Sequence, residues 1–216
     1  YTKKAPKASA VLYSQPKLDG IRCIARASGL WSRSGKPILA CPHVFEALAP
    51  LFKDDPNLIL DGELYNHDLK ADFNRIVSLV KQVKPNANDF KASEEMIQYH
   101  VYDLPSKLKF SERSALLRNL VNTLKSPYIQ YVDTAKVVSD DHLNLIYEAY
   151  LADGFEGQMV RVDGDGYENK RTSNLLKRKE FMDSEFAIVD IVEGEGNRTG
   201  MAGYAVLQLT GEVAAA

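Results

Sequence analysis

The sequence predicts a mixed α+β fold, because segments with the two-residue period of strands occur beside segments whose apolar residues have helical spacing. Strand-like runs dominate residues 11–38 and the region after residue 155, and helical runs occupy much of the middle. The 216 residues are 45% hydrophobic, which is enough for a core. At roughly 100 to 200 residues per domain, this length predicts one substantial domain and a smaller second one.

Turn signals separate short strand-like runs in residues 11–38 and predict a β-meander. Pro42 begins a predicted helix. Residues 58–64 then alternate like a half-buried strand, with Asp61 and Glu63 on its polar face. Apolar positions from Leu69 to Val80 predict an amphipathic helix, and the polar stretch that follows, residues 84–93, predicts a loop.

The second half continues in the same manner. Residues 96–104 have strand character, after which Ser111 is the predicted cap of one helix and Ser139 or Asp140 that of another, which ends at Gly154. Residues 155–162 and 175–181 are predicted strands. Beyond them, two apolar strand-like runs joined by a glycine-rich loop predict the start of a further domain, which divides the chain into 1–182 and 183–216.

The formal net charge of −2 excludes a bulk-basic nucleic-acid coat, yet the charges are unevenly placed. Residues 1–36 hold eight cations and one acid, and residues 169–179 hold five cations without an acid, so local phosphate binding is possible. No apolar run approaches the roughly 20 residues of a membrane span, and the two cysteines form no metal or redox motif. We expect a soluble, cytoplasmic protein, and the start at Tyr1 and the terminal alanines suggest a piece of a longer chain.

Three common phosphate or metal motifs are excluded by their spacing or by missing residues. Residues 29–36 have one residue too many for a P-loop, and Pro37 replaces its Ser or Thr. The glycines at 194–200 miss the dinucleotide spacing, and residues 163–167 lack the further ligands of a calcium loop.

An ordered series of six short motifs remains: KLDGIR (17–22), SRSGK (32–36), LDGELY (60–65), VYDLP (101–105), EGQMVR (156–161) and LLKRK (175–179). The series resembles that of the covalent nucleotidyltransferases, and most closely that of the small ATP-dependent DNA ligases of bacteriophage and viral type. The resemblance implies an antiparallel two-sheet nucleotidyltransferase fold with flanking helices, followed by the start of an OB-fold β-barrel.

The resemblance also implies the site. Lys17 is the candidate catalytic nucleophile, supported by Asp19 and by Gly20, which allows close backbone approach. Glu156 resembles the metal-linked carboxylate, and Arg33 resembles an arginine near the transferred phosphate or DNA. The candidate ATP- or AMP-binding residues are Gln15, Arg22, Glu63, Tyr102, Arg161, Lys177 and Lys179.

Several of these assignments have a physical basis of their own. Lys177 and Lys179 are two residues apart, so on a strand they share one face and could hold the same α-phosphate. Gln15 stands where relatives often have Glu near the adenine edge, and Arg161 stands where lysine is commoner. Glu156 and Arg161 lie on opposite faces of an ideal strand, so both serve one site only if Glu156 lies in the preceding turn or the strand is bulged.

The implied function is nick sealing through lysyl-AMP and an adenylated 5′-phosphate end, with ATP and Mg²⁺ (or Mn²⁺) as cofactors. The expected partner is nicked duplex DNA, and we expect a monomer with no membrane association. RNA ligase and mRNA-capping guanylyltransferase are the enzyme alternatives, since they share the lysine motif. A non-catalytic nucleic-acid-binding fragment is the alternative from another class.

Overall fold

The computed structural model describes residues 10–164, 166–170, 172–179, 186–209 and 212–215. Outside these ranges lie four residues of the two cationic stretches, at positions 3, 4, 7 and 171. The expected domain boundary at 182/183 also lies outside them. The contacts divide the chain into two compact units, residues 1–180 and 181–216.

The first unit contains two sheets, five α-helices and a short 3₁₀ helix (His67–Leu69) in its described part. Its strands are β1 (Leu12–Lys17), β2 (Ile21–Arg26), β3 (Gly29–Ser32), β4 (Ile59–Tyr65), β5 (Gln98–Asp103), β6 (Ile129–Tyr131), β7 (Ala135–Val137), β8 (Gly157–Val162) and β9 (Leu175–Lys179). Its helices are α1 (Pro42–Asp54), α2 (Phe73–Val80), α3 (Ala87–Met96), α4 (Phe110–Leu124) and α5 (Asp140–Ala152).

The strands separate into a four-stranded sheet, in the order β7-β1-β8-β9, and a five-stranded sheet, in the order β3-β2-β4-β5-β6. The pairings are antiparallel except that of β5 with β6. The meander expected for residues 11–38 is therefore wrong, because β1 and β2 belong to different sheets. The turn at residues 18–20 crosses from one sheet to the other, which places the KLDG motif where the sheets meet.

Each sheet buries one apolar face. The five-stranded sheet packs Cys23, Leu60, Leu64 and Val101 against α1, α2 and α4 in the larger core. In the four-stranded sheet, Leu12, Val160 and Leu176 pack against Leu143 of α5. The opposite faces of both sheets are thus left for polar side chains.

Two helix predictions need correction. Residues 84–93 are not a loop, because α3 begins at Ala87, where the Asn86 side chain accepts from the backbone N–H groups of residues 88 and 89 and Asp89 accepts from Asn86 N–H. Ser111 is not a cap, because α4 begins at Phe110, and the N–H and hydroxyl of Ser111 both donate to Asp163. The N-cap at Ser139 and the stop at Gly154, which has φ +87°, are confirmed.

The second unit has three described strands, β10 (Ala187–Glu193), β11 (Ala202–Leu209) and β12 (Glu212–Ala215), which form one antiparallel sheet. The first two are the predicted apolar runs, and the glycine-rich segment between them contains a short 3₁₀ turn at Gly196–Arg198. Its identity as the start of an OB-fold barrel stays a prediction.

Candidate active site

The first unit contains a cavity of about 1010 Å³ that is lined from both sheets. Strands β1, β8 and β9 line it on the four-stranded side, and β2, β4 and β5 line it on the five-stranded side. Residues 164, 166–170 and 172–174, in the segment between β8 and β9, also line it. The polar faces that the two cores leave unused therefore form a single site.

Strand register brings the residues predicted on the four-stranded sheet onto one face. Lys17 pairs across Gly157 with Lys179 in one row, and Gln15 pairs across Met159 with Lys177 in the next. Side chains of directly opposed residues lie on the same face of a sheet. The expectation that Lys177 and Lys179 share a face is thus met, whereas Arg178 lies on the other face, where it donates to Asn144 of α5.

Glu156 lies in the turn before β8, which settles how it reaches the Lys17 row. Its N–H donates to the Lys17 carbonyl oxygen at 3.2 Å. Its carboxylate pairs with the Lys17 ammonium through one oxygen, and through the other with Lys179 Nζ at 3.1 Å. One carboxylate therefore holds the candidate nucleophile and one of the predicted phosphate-binding lysines together.

The charges around Lys17 act on both neighbouring acids. Partial burial acts to raise the pKa of Glu156, but the hydrogen bonds and charges of Lys17 and Lys179 outweigh burial and lower this pKa overall. Burial, followed by the negative charge of Glu156, raises the pKa of Asp19. Glu156 is therefore held in its ionised form beside the candidate nucleophile.

Gly20 is required by close backbone approach. A Cβ atom at this position would lie 2.5 Å from the Leu64 carbonyl oxygen and 2.8 Å from Glu63 Cγ. The turn that follows Lys17 therefore lies directly against β4, and the close contacts there leave no room for a side chain. This contact fixes the position of Lys17 relative to the five-stranded sheet.

On the five-stranded side, Arg22 and Glu63 are cross-strand partners, and the Tyr102 hydroxyl donates to Glu63 Oε2 at 3.4 Å. Arg22 makes a two-pronged contact with Asp61, in which both nitrogen–oxygen distances are 2.9 Å. Burial and the negative charge of Asp61 raise the pKa of Glu63 to about 8. Burial acts to lower the pKa of Arg22, but the paired Asp61 carboxylate raises it overall.

A buried polar network closes the cavity at Gln15. The Gln15 amide donates to the Tyr102 carbonyl oxygen and to Thr134 Oγ1, and its oxygen accepts from Arg161 Nε at 3.0 Å. Arg161 Nη1 pairs with Asp103 Oδ2 at 2.9 Å. Arg161 therefore lies apart from the lysines of the Lys17 row.

Arg33 lies at the rim of the cavity. It is exposed in the turn after β3, where Ser32 N–H donates to the Lys36 carbonyl oxygen at 2.8 Å. The structure therefore brings Arg33 to the same cavity as Lys17, at an open position suited to an extended ligand.

Sequence reasoning missed three groups that shape this cavity. Asp61 forms an ion pair with Arg22, and Asp103 forms ion pairs with both Arg161 and Arg113. The third group is the Tyr167 hydroxyl, which donates to Asp61 Oδ2 at 2.7 Å. The aspartates are part of the LDGELY and VYDLP motifs, so a signal for them was present. Nothing local to Tyr167 predicts that its segment reaches the five-stranded sheet.

The comparisons with known proteins identify the family of the chain. A family model described as the ATP dependent DNA ligase domain matches residues 2–179. The chain is 28% identical over 196 residues to a DNA ligase of African swine fever virus (isolate Tick/South Africa/Pretoriuskop Pr4/1996), covering 84% of this chain and 44% of the viral protein. It is also 28% identical over 189 residues to a DNA ligase of Haemophilus influenzae, covering 87% of this chain and 65% of that protein. The chain thus spans less than half of the viral relative.

Solved structures show the same fold. A Lig E DNA ligase superposes with a TM-score of 0.77 at 24% identity, covering all of this chain and 80% of the other. The DNA ligase of bacteriophage T7, in complex with ATP, superposes with a TM-score of 0.62 at 19% identity, covering 96% and 74%. In the described ranges, no helix has the length and apolar character needed to cross a bilayer. The chain belongs to the family of ATP-dependent DNA ligase domains.

Proposed function

We propose that this chain is the nucleotidyltransferase domain of a DNA ligase that seals nicks through a covalent AMP on Lys17. The observation that carries the proposal is the row in which Lys17 and Lys179 meet across Gly157, with the Glu156 carboxylate between their ammonium groups. Such a row provides a nucleophilic amine and a further cation at one point of a nucleotide-sized cavity.

The first step would form a bond between Lys17 Nζ and the α-phosphorus of ATP and break the bond from that phosphorus to the bridging oxygen, which releases pyrophosphate. The attacking amine must be unprotonated, so its proton leaves before or during attack. The oxygen of a 5′-phosphate at a nick would then displace Lys17 and take the AMP. Attack by the 3′-hydroxyl on that phosphate would release AMP and close the strand.

The cavity supports one direction for the nucleotide. With the α-phosphate at Lys17, Lys177 and Lys179, the ribose would lie toward Glu63 and Arg22, and the base would lie between Tyr102 and Met159. An aromatic ring beside a base contributes roughly 1 to 3 kcal/mol when the two stack. Gln15 would lie at the far edge of the base.

The carboxylates beside Lys17 fit a divalent ion that arrives with its nucleotide. Mg²⁺ commonly takes one or two protein carboxylates and completes its shell with phosphate oxygens and water. Glu156 is ionised at the proposed phosphate position, and no cluster of three acidic, His or Cys side chains within the described ranges competes as a preformed site. When bound, Mg²⁺ or Mn²⁺ would neutralise charge on the transferring phosphoryl group.

The test is incubation of the protein with α-labelled ATP or GTP and Mg²⁺, followed by denaturing electrophoresis and a sealing assay on nicked duplexes. We expect an ATP-derived adduct and sealing of nicked DNA, both lost in Lys17→Ala and retained in Lys136→Ala, an exposed lysine of β7. A GTP-only adduct would indicate capping, and sealing of RNA alone would indicate an RNA ligase. Absence of any adduct would favour a binding module. Action as a monomer in the cytoplasm, in DNA replication, repair or recombination, belongs to the same proposal.

A further inference from the structure

We infer that Arg161 is a positioning residue for the nucleoside end of the cavity, which acts through Gln15 and Asp103, and that it is not a ligand of the phosphates. The inference rests on the proposed function, since it concerns how the same cavity holds ATP. It changes the role expected of a cation at the end of the EGQMVR motif.

Register separates Arg161 from the proposed phosphate position. Arg161 pairs with Tyr13 of β1, whereas Gly157 pairs with Lys17, four residues further along that strand. At about 3.3 Å per residue, the two rows lie about 13 Å apart. That separation suits opposite ends of a nucleoside monophosphate better than two ligands of one phosphate.

The Arg161 guanidinium is also held in place by the contacts it makes. Its residue is 7% exposed, and it pairs with Asp103, which is completely buried. Its central carbon lies 4.9 Å from the centre of the Phe110 ring and 5.5 Å from that of Tyr102. If the guanidinium moved toward a phosphate, the buried Asp103 carboxylate would lose one of its cationic partners. The loss of a partner for a buried charge is unfavourable in a low-dielectric interior.

The contact with Gln15 has only one chemically allowed orientation. A guanidinium can only donate and a backbone carbonyl oxygen can only accept. The Gln15 oxygen must therefore face Arg161 Nε, and its NH₂ group must face the Tyr102 carbonyl oxygen. Because the NH₂ group also donates to Thr134 Oγ1, both of its hydrogens are used.

This orientation joins the two sheets at the closed end of the cavity. Gln15 belongs to β1 of the four-stranded sheet, and Tyr102 belongs to β5 of the five-stranded sheet. Arg161 makes a second connection of the same kind, from β8 to Asp103 at the end of β5. Together the two links fix the distance between β1 and the strand that carries the Tyr102 ring, so they set the space available to a base.

Separate probes for the two ends of ATP test this assignment. Adenosine carries no phosphate and inorganic tripolyphosphate carries no nucleoside, so the binding of each can be titrated by NMR with the nucleotide-free protein. For Arg161→Met we expect adenosine binding to weaken at least tenfold, while tripolyphosphate binding stays within twofold of the wild type. Lys177→Met, which removes the cation opposite Met159, should instead weaken tripolyphosphate binding and leave adenosine binding within twofold of the wild type.

Two further variants separate positioning from loss of structure. Arg113→Met removes another partner of Asp103 without touching Gln15, and we expect it to lose stability while it keeps adenosine affinity within threefold. Gln15→Met removes the amide link, and we expect its loss of adenosine affinity to overlap with that of Arg161→Met, so the double variant should bind no more weakly than the poorer single variant.

Three results would overturn the assignment. Weakened tripolyphosphate binding with unchanged adenosine binding in Arg161→Met would make Arg161 a phosphate ligand. If Arg113→Met lost as much adenosine affinity as Arg161→Met, the network would have only a general structural role. The same conclusion would follow if the losses of affinity in Gln15→Met and Arg161→Met were fully additive. Failure of the wild type to bind either probe would instead remove the proposed function, and the inference with it.

Discussion

Glu156 contacts Lys17 twice, through its backbone N–H to the Lys17 carbonyl oxygen and through its carboxylate to the Lys17 ammonium. The first contact fixes the turn before β8 against the end of β1, and the second orients the side chain. Because the other carboxylate oxygen binds Lys179, Glu156 holds both cations in the arrangement that the proposed nucleotide transfer requires.

Glu156→Gln should therefore slow the formation of lysyl-AMP. The amide keeps the shape of the side chain but loses the charge that holds two ammonium groups together, and we expect the single-turnover rate to fall by about 10²-fold. Rapid-quench measurement with α-labelled ATP gives this rate. Glu148→Gln, an exposed position of α5, is the matched control and should retain the wild-type rate.

The raised pKa of Glu63 predicts a dependence of stability on pH. Below the ordinary carboxyl pKa of 4.5, Glu63 is protonated in both the folded and the unfolded protein, and its contribution is fully present. As pH rises toward about 8, the unfolded chain ionises while the folded protein keeps the proton, so stability is lost across this window.

Urea unfolding of the nucleotide-free protein at pH 5, 6.5 and 8 measures this effect. Glu63→Gln lacks this titrating group. Between pH 5 and pH 8, the free energy of unfolding of the wild type should therefore fall by roughly 3 kcal/mol relative to that of Glu63→Gln. The exposed α1 substitution Glu46→Gln should keep the wild-type pH dependence. Parallel curves for the wild type and Glu63→Gln would contradict the assignment.

Asp103 is expected to be a large contributor to stability. It is completely buried and pairs with both Arg113 and Arg161, so Asp103→Ala leaves two buried guanidinium groups without their carboxylate. We expect a loss of about 3 to 5 kcal/mol in the free energy of unfolding. Asp133→Ala, which breaks the exposed pair with Arg118, should cost no more than about 1 kcal/mol.

Gly20→Ala tests the contact that fixes the turn after Lys17. The added methyl group would lie 2.5 Å from the Leu64 carbonyl oxygen, so the turn must shift, at a cost of about 1 to 3 kcal/mol. We expect lysyl-AMP formation to fall together with stability. Gly35→Ala is the comparison, because it has open space around it and φ +76°, so it is strained but far less crowded. It should keep most of the adduct formation.

The sequence predicted which residues lie near one another better than it predicted the connections between strands. As the motif order predicts, Lys17, Glu63 and Tyr102 line one cavity, and Glu156 pairs with both Lys17 and Lys179. That β1 and β2 belong to different sheets could not be predicted, because the same turn residues occur whether the strands on either side pair with each other or enter separate sheets. The Asn86–Asp89 capping box was visible in the sequence, but the polar composition of that stretch favoured a loop.

The sequence also did not indicate which charged side chains are buried. Asp61 alternates with apolar residues as a surface acid would, yet it is 3% exposed, because its face of β4 lines the cavity instead of bulk solvent. Its partners, Arg22 and Tyr167, come from positions 39 residues before and 106 residues after it. Local periodicity carries no information about such distant partners.

The most direct test of the account is the position of the covalent AMP. After reaction with ATP and Mg²⁺, proteolysis and mass spectrometry should find the nucleotide on Lys17 alone, and none on Lys177, Lys179 or any residue of Lys17→Ala. AMP on another lysine of the wild type, or an adduct that persists in Lys17→Ala, would contradict it.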